Sequence, residues 1–132
     1  MSTIQERQTK YCAAIQNELT RVGHATNLEL LESLQKLFPY VSATTVHRAT
    51  ARLAERDKIG IAPPAKDGSM RYDSNPLAHD HFMCNTCGIL KDTNIKQAVI
   101  PILEESIGDG CSISGQLTVS GTCKSCRNLE VK

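Results

Sequence analysis

At 132 residues the chain is long enough for one ordinary domain or two very small ones. Very small domains bury a low fraction of their surface, so each half would need a metal or a partner chain. Hydrophobic residues make up 40% of the chain, aromatics only 4% and Trp is absent, which fits thin aliphatic cores. The net charge of +1 does not by itself point to a nucleic-acid binder, although residues 1–75 hold ten Lys/Arg against eight Asp/Glu. The opening residues MSTIQERQTK carry no apolar run after a basic region, and no stretch is long and apolar enough to span a membrane. The expected location is the cytoplasm, where six cysteines read as metal ligands or thiols rather than disulfides.

In chain order, Ile4, Tyr11, Ala14, Ile15, Leu19 and Val22 recur with helical rhythm over 4–22, and Gly23 is a helix stop. Thr26 or Asn27 caps a second helix, with Glu29 completing a capping box and Leu28, Leu31, Leu34 and Leu37 expected inward. After Pro39, Ser42 caps a third helix to about Arg56. Val46, Ala49, Thr50 and Leu53 form its apolar stripe, with Thr44, His47, Arg48 and Arg52 on or near the other side. Two helices joined by a short turn, the second exposing cations, make a helix-turn-helix. Short strands at 59–62 and 70–73 would add a wing, and the plainer alternative is a three-helix bundle with a solvated basic face.

The segment 74–78 is the one convincing linker. Beyond it, strands are expected at 81–84 and 88–91, a helix at 94–107 with Pro101 inside it, and a strand at 116–120. That helix would carry Ile95, Ala98, Val99, Ile102, Leu103 and Ile107 on one face. The fold class is α+β: a winged helix-turn-helix over 1–74, a hinge at 75–79, and a small zinc-stabilised α+β domain over 80–132.

Two CxxC pairs, Cys84/Cys87 and Cys123/Cys126, offer four thiolates in two tight turns, 35 residues apart. Zinc takes four such ligands at the corners of a tetrahedron, and a site closed by four thiolates has no open position for catalysis. One structural zinc is expected. Cys12 and Cys111 receive no role. Just ahead of the first pair stands His79-Asp80-His81, which in a strand turns both imidazoles to one face and the carboxylate to the other.

The helix-turn-helix with Thr45-Val46-His47-Arg48, then HDHFMCNTCG and the terminal GTCKSC, resembles the ferric uptake regulator (Fur) family over nearly the whole chain. The resemblance implies a metal-dependent repressor that is a homodimer on double-stranded operator DNA. Its regulatory metal would lie between the two domains, held by His24, Asp73, His79, His81 and Asp92. Three imidazoles and two carboxylates suit Fe²⁺ or Mn²⁺. Aspartate at both 73 and 92 is most similar to the peroxide-sensing (PerR) branch, in which peroxide reacts with bound Fe²⁺ and a ligand histidine is oxidised. Iron-uptake (Fur-type) and zinc-uptake (Zur-type) repressors are the alternatives within the family.

Thr44, His47, Arg48 and Arg52 are the expected DNA contacts, with Arg71 on the wing meeting phosphate. His47 stands where the family usually has Tyr, which leaves the operator open. An enzyme is not expected. The zinc-deaminase signature needs His followed by Glu and Pro before a CxxC, and both are missing here. A zinc-stabilised structural module would explain the cysteines but neither the helix-turn-helix nor the histidine pair.

Overall fold

A computed structural model describes the backbone of residues 3–130 and the side chains from Lys10 to Leu129, so the expected contact of Ile4 lies outside the described residues. The chain divides into two units between Leu77 and Ala78.

In the first unit α1 (Thr3–Val22), α2 (Asn27–Gln35) and α3 (Ala43–Glu55) pack together, with a sheet of β1 (His24–Thr26), β2 (Gly60–Ala62) and β3 (Arg71–Asp73) in the order β1-β3-β2. Both neighbours run antiparallel to β3. Gly23 breaks α1 at φ +87°, a left-handed conformation that favours glycine. Thr26 and Glu29 close the capping box of α2, and Ser42 accepts from the Thr45 amide to cap α3. The core joins Ile15 and Leu19 of α1, Leu30 and Leu34 of α2, Val46, Ala49 and Leu53 of α3, and Tyr72 of β3. A hairpin following the second helix of a helix-turn-helix makes this unit a winged helix.

The inward face of α2 differs from the sequence expectation. Leu30 and Leu34 are buried, whereas Leu28 and Leu37 are 65% and 69% exposed. The cap at Thr26 fixes the rotation of a helix only nine residues long, and it ends at Gln35, before Leu37.

The second unit is built on β4 (Asp80–Cys84). It pairs antiparallel with β5 (Leu90–Thr93) and parallel with β6 (Thr118–Gly121), giving the order β5-β4-β6. Between β5 and β6 runs α4 (Lys96–Ile107), which continues through Pro101, and α5 (Lys124–Glu130) follows β6. The apolar face of α4 is left uncovered by the described residues of the chain. No residue of α4 is buried, and Ile102, Leu103 and Ile107 are at least 36% exposed. The exposed Ile102, Leu103 and Ile107 leave this face in need of another surface.

Asp80 supplies what the start of α4 lacks. The helix has no side-chain cap of its own at Ile95. Buried Asp80 accepts from the Lys96 amide (3.0 Å) with one oxygen and from the Leu117 amide (3.1 Å) with the other. Removing it orphans two amides at once. Asp80→Ala is expected to destabilise the zinc-loaded protein by about 2–3 kcal/mol in chemical denaturation, with zinc content unchanged.

Candidate metal centres and nucleic-acid interface

Strand pairing assembles the cysteines. The parallel register of β4 and β6 sets Cys84 beside Gly121, two residues before Cys123. The turn after Cys84 closes through the Gly88 amide bonding to the Cys84 carbonyl, with Gly88 at φ +80°. The four sulfurs of Cys84, Cys87, Cys123 and Cys126 lie within 4.8 Å of one another, and Cys87 Sγ is 3.8 Å from Cys123 Sγ. With zinc–sulfur bonds near 2.3 Å, the edge of a regular tetrahedron is about 3.8 Å. The cluster has the size of a closed zinc site, and the donor set suits a structural ion.

The electrostatics agree. The amides of Cys87 and Cys123, each 3.4 Å from Cys84 Sγ, hold that thiol down to about 5, where a thiolate is ready to ligate. Cys126 goes the other way, pushed up to about 12 by the Cys123 side chain and then by burial. Four sulfurs this close cannot all carry charge without a cation among them. Cys126 must therefore release a proton as zinc loads, so zinc affinity falls as pH is lowered through neutrality. Competition with a chromophoric chelator across pH measures this directly. Cys84→Ser removes the sulfur that carries the preset charge. It is expected to abolish stoichiometric zinc and the cooperative unfolding of the second unit.

The remaining candidate ligands form one cluster in each unit. In the first, the register of β1 with β3 sets His24 opposite Asp73, with His24 Nε2 3.3 Å from Asp73 Oδ2. Asp73 is 2% exposed, and its other oxygen accepts from the Asn75 amide. In the second, β4 and β5 set His81 opposite Asp92, and His79 lies just ahead of the strand. His79 Nε2 and His81 Nε2 are 3.0 and 3.4 Å from the same oxygen of Asp92. Two imidazole nitrogens and one carboxylate converging from neighbouring strands form the donor set that suits a non-haem divalent iron. These ligands fit a regulatory metal.

On α3, Thr44, His47 and Arg48 are exposed on the side away from the buried stripe, and Arg52 is half-buried. Arg71 corrects the expectation of a phosphate contact. It is 8% exposed and donates to the carbonyls of Pro63 (3.1 Å) and Pro64 (3.0 Å), so its guanidinium tethers the wing rather than facing outward. Three features had no signal in sequence: the short strand that positions His24, the cap by Asp80, and the side-chain link from His47 to Asn27 (3.1 Å) across the α2–α3 turn.

The profile of the ferric uptake regulator family matches residues 4–110. The chain belongs to this family. The peroxide-responsive repressor PerR of Staphylococcus epidermidis is 28% identical over 108 residues, covering 80% of this chain and 70% of that protein. Among solved structures, the Helicobacter pylori ferric uptake regulator Fur superposes with a TM-score of 0.71 at 20% identity, over 89% of this chain and 80% of that one. The Campylobacter jejuni peroxide stress regulator gives 0.68 at 24% identity, over 96% of this chain and all of that one. These two structures share the fold. Members of the family are transcriptional regulators rather than enzymes. Among the described residues no helix is long and apolar enough to cross a membrane.

Proposed function

We propose that this Fur-family chain is a peroxide-sensing repressor that binds operator DNA as a homodimer in the cytoplasm when a single Fe²⁺ or Mn²⁺ is held by His24, Asp73, His79, His81 and Asp92. The observation that carries the reading is the convergence of His79 and His81 on one oxygen of Asp92, a ready two-imidazole, one-carboxylate set. The paired His24 and Asp73 supply the remaining donors. Only five residues separate Asp73 from His79, so one ion bound by both groups would hold the linker in a single conformation. In this reading residues 1–74 bind DNA, 75–79 are the hinge, and 80–132 carry the structural zinc on Cys84, Cys87, Cys123 and Cys126.

The dimer follows from α4. Its exposed Ile102, Leu103 and Ile107 are apolar side chains of the kind that a second copy covers. The DNA contact follows from α3, which presents Thr44, His47 and Arg48 for the major groove, with Arg52 at the edge.

Peroxide sensing is favoured by the similarity to PerR and by aspartate at both 73 and 92. Held by these five residues, Fe²⁺ would supply the one-electron chemistry that activates peroxide. His24 and His79 would be the groups oxidised by that peroxide: a ring that gained an oxygen would lose its fitness as a donor, and the hold on the linker with it. Iron-uptake or zinc-uptake regulation would use the same fold without that loss.

A gel-shift titration with a randomised duplex pool tests the core of this reading. The wild type is expected to retain DNA with Fe²⁺ or Mn²⁺ and to release it after chelation. His81→Ala is expected to weaken metal-dependent binding by about a hundredfold or more, since even outer-sphere changes cost 10–100-fold, while the zinc content stays intact. After peroxide, peptide mass spectrometry is expected to find one added oxygen on His24 or His79 in the iron form and none in the manganese form. Unmodified histidines with iron would instead support an iron-uptake regulator.

A further inference from the structure

Where the linker leaves the first unit, its main chain is seated on a glycine. Gly60 of β2 pairs across the sheet with Asp73. A β-carbon at Gly60 would lie 2.5 Å from the Asn75 carbonyl oxygen, far inside van der Waals contact, and 3.2 Å from Pro76 Cα. Only glycine lets the backbone of Asn75 and Pro76 rest there. Three amides hold the same stretch from other sides. The Ser74 amide donates to the Gly23 carbonyl (3.0 Å), just ahead of His24. The Asn75 amide donates to Asp73 Oδ1 (2.9 Å), and the Leu77 amide donates to Asn75 Oδ1 (2.9 Å). Asn75, Pro76 and Leu77 are exposed, so apolar burial is not what keeps them in place. The division of the chain between Leu77 and Ala78 falls where these contacts end.

We infer that Gly60 and Asn75 are positioning residues for the regulatory metal: they make residues 74–77 a rigid extension of the first unit and confine the pivot to Ala78 and His79. The inference rests on the proposed ion shared by His24, Asp73, His79, His81 and Asp92. An ion that joins both ends of a linker must freeze the backbone freedom of every residue left mobile between them. With Asn75, Pro76 and Leu77 already ordered, less of the binding free energy is spent on that ordering and the ion binds more tightly. The seat also ties ligand to linker. The carboxylate whose Oδ2 faces His24 takes the Asn75 amide on Oδ1. An alanine at position 60 must push the Asn75 carbonyl away and pull that amide from Asp73.

The test uses the full-length, zinc-containing protein with Mn²⁺ as the probe. Before Mn²⁺ is added, amide exchange followed by NMR is expected to find the Ser74, Asn75 and Leu77 amides protected and that of Ala78 open. In Gly60→Ala, protection at Asn75 and Leu77 is expected to fall about tenfold, and the Mn²⁺ concentration at half-maximal binding of a duplex selected by the wild type to rise about tenfold. DNA affinity at saturating Mn²⁺, weak DNA binding without it and zinc content should stay those of the wild type. Asn75→Ala introduces no clash and is expected to shift the Mn²⁺ midpoint in the same direction by less. Asn75→Asp keeps an acceptor for the Leu77 amide and should restore it. If Gly60→Ala does not fold, the two Asn75 variants decide. An unchanged midpoint overturns the inference, as do wild-type Asn75 and Leu77 amides that exchange as fast as that of Ala78. So does a loss of DNA affinity with and without Mn²⁺ alike, which is the mark of a merely structural role. A wild type that binds DNA equally well without Mn²⁺ overturns the proposed function too, and is recognised because the exchange pattern of 74–77 is read in the absence of that ion.

Discussion

Four sulfur atoms gathered within 4.8 Å cannot all ionise unless a cation sits among them, and the second unit depends on that constraint. Among the described residues its buried ones are few: Asp80, His81, Cys84, Leu90 and Cys126. Two of those five are cysteines of the cluster, so the apolar effect contributes little and the thiolate–metal bonds contribute much. The cluster pins the end of β4 to the start of α5, closing the sheet across the long connection through α4. Thiol preorganisation is visible in the opposed behaviour of Cys84 and Cys126, one lowered by two amides and the other raised by its neighbours.

Strand β4 carries the connection from that scaffold to the regulatory ligands. Within five residues it places Asp80 toward the amides of α4 and the segment entering β6, His81 toward Asp92, and Cys84 toward the cluster. The alternation of a strand is what allows this: residues 79 and 81 serve one face while 80 serves the other. A shift of one residue in register would exchange those duties, sending the carboxylate to the metal ligands and an imidazole to the helix cap. Zinc, by fixing the end of β4, guards the register on which His81 depends.

Much of this was legible in the chain because the signals are local. Thr26 with Glu29, Ser42 ahead of α3, the stripe of Val46, Ala49, Thr50 and Leu53, and the two CxxC turns each involve a few neighbouring residues with one physical job. What escaped is non-local. His24-Ala25-Thr26 is a strand only because β3 pairs with it, and three residues carry no period to recognise. Arg71 reads as an exposed cation on a wing, yet the carbonyls that hold it belong to Pro63 and Pro64, whose turn direction no motif specifies. The α4 face is legible as apolar, but periodicity reports what a face wants and not who supplies it. Asp80 reaches an amide 37 residues away at Leu117, and His47 a side chain 20 residues back at Asn27.

The proposed repression requires one ion to draw donors from both units. Electron spin-echo spectroscopy of the Mn²⁺-loaded protein, with histidine nitrogens isotopically labelled, counts the imidazoles bound to the ion. The account predicts three coupled histidine nitrogens in the wild type and two in His24→Ala. Two in both proteins would show that the first unit does not hold the ion, and the proposed link between metal and DNA binding would fail.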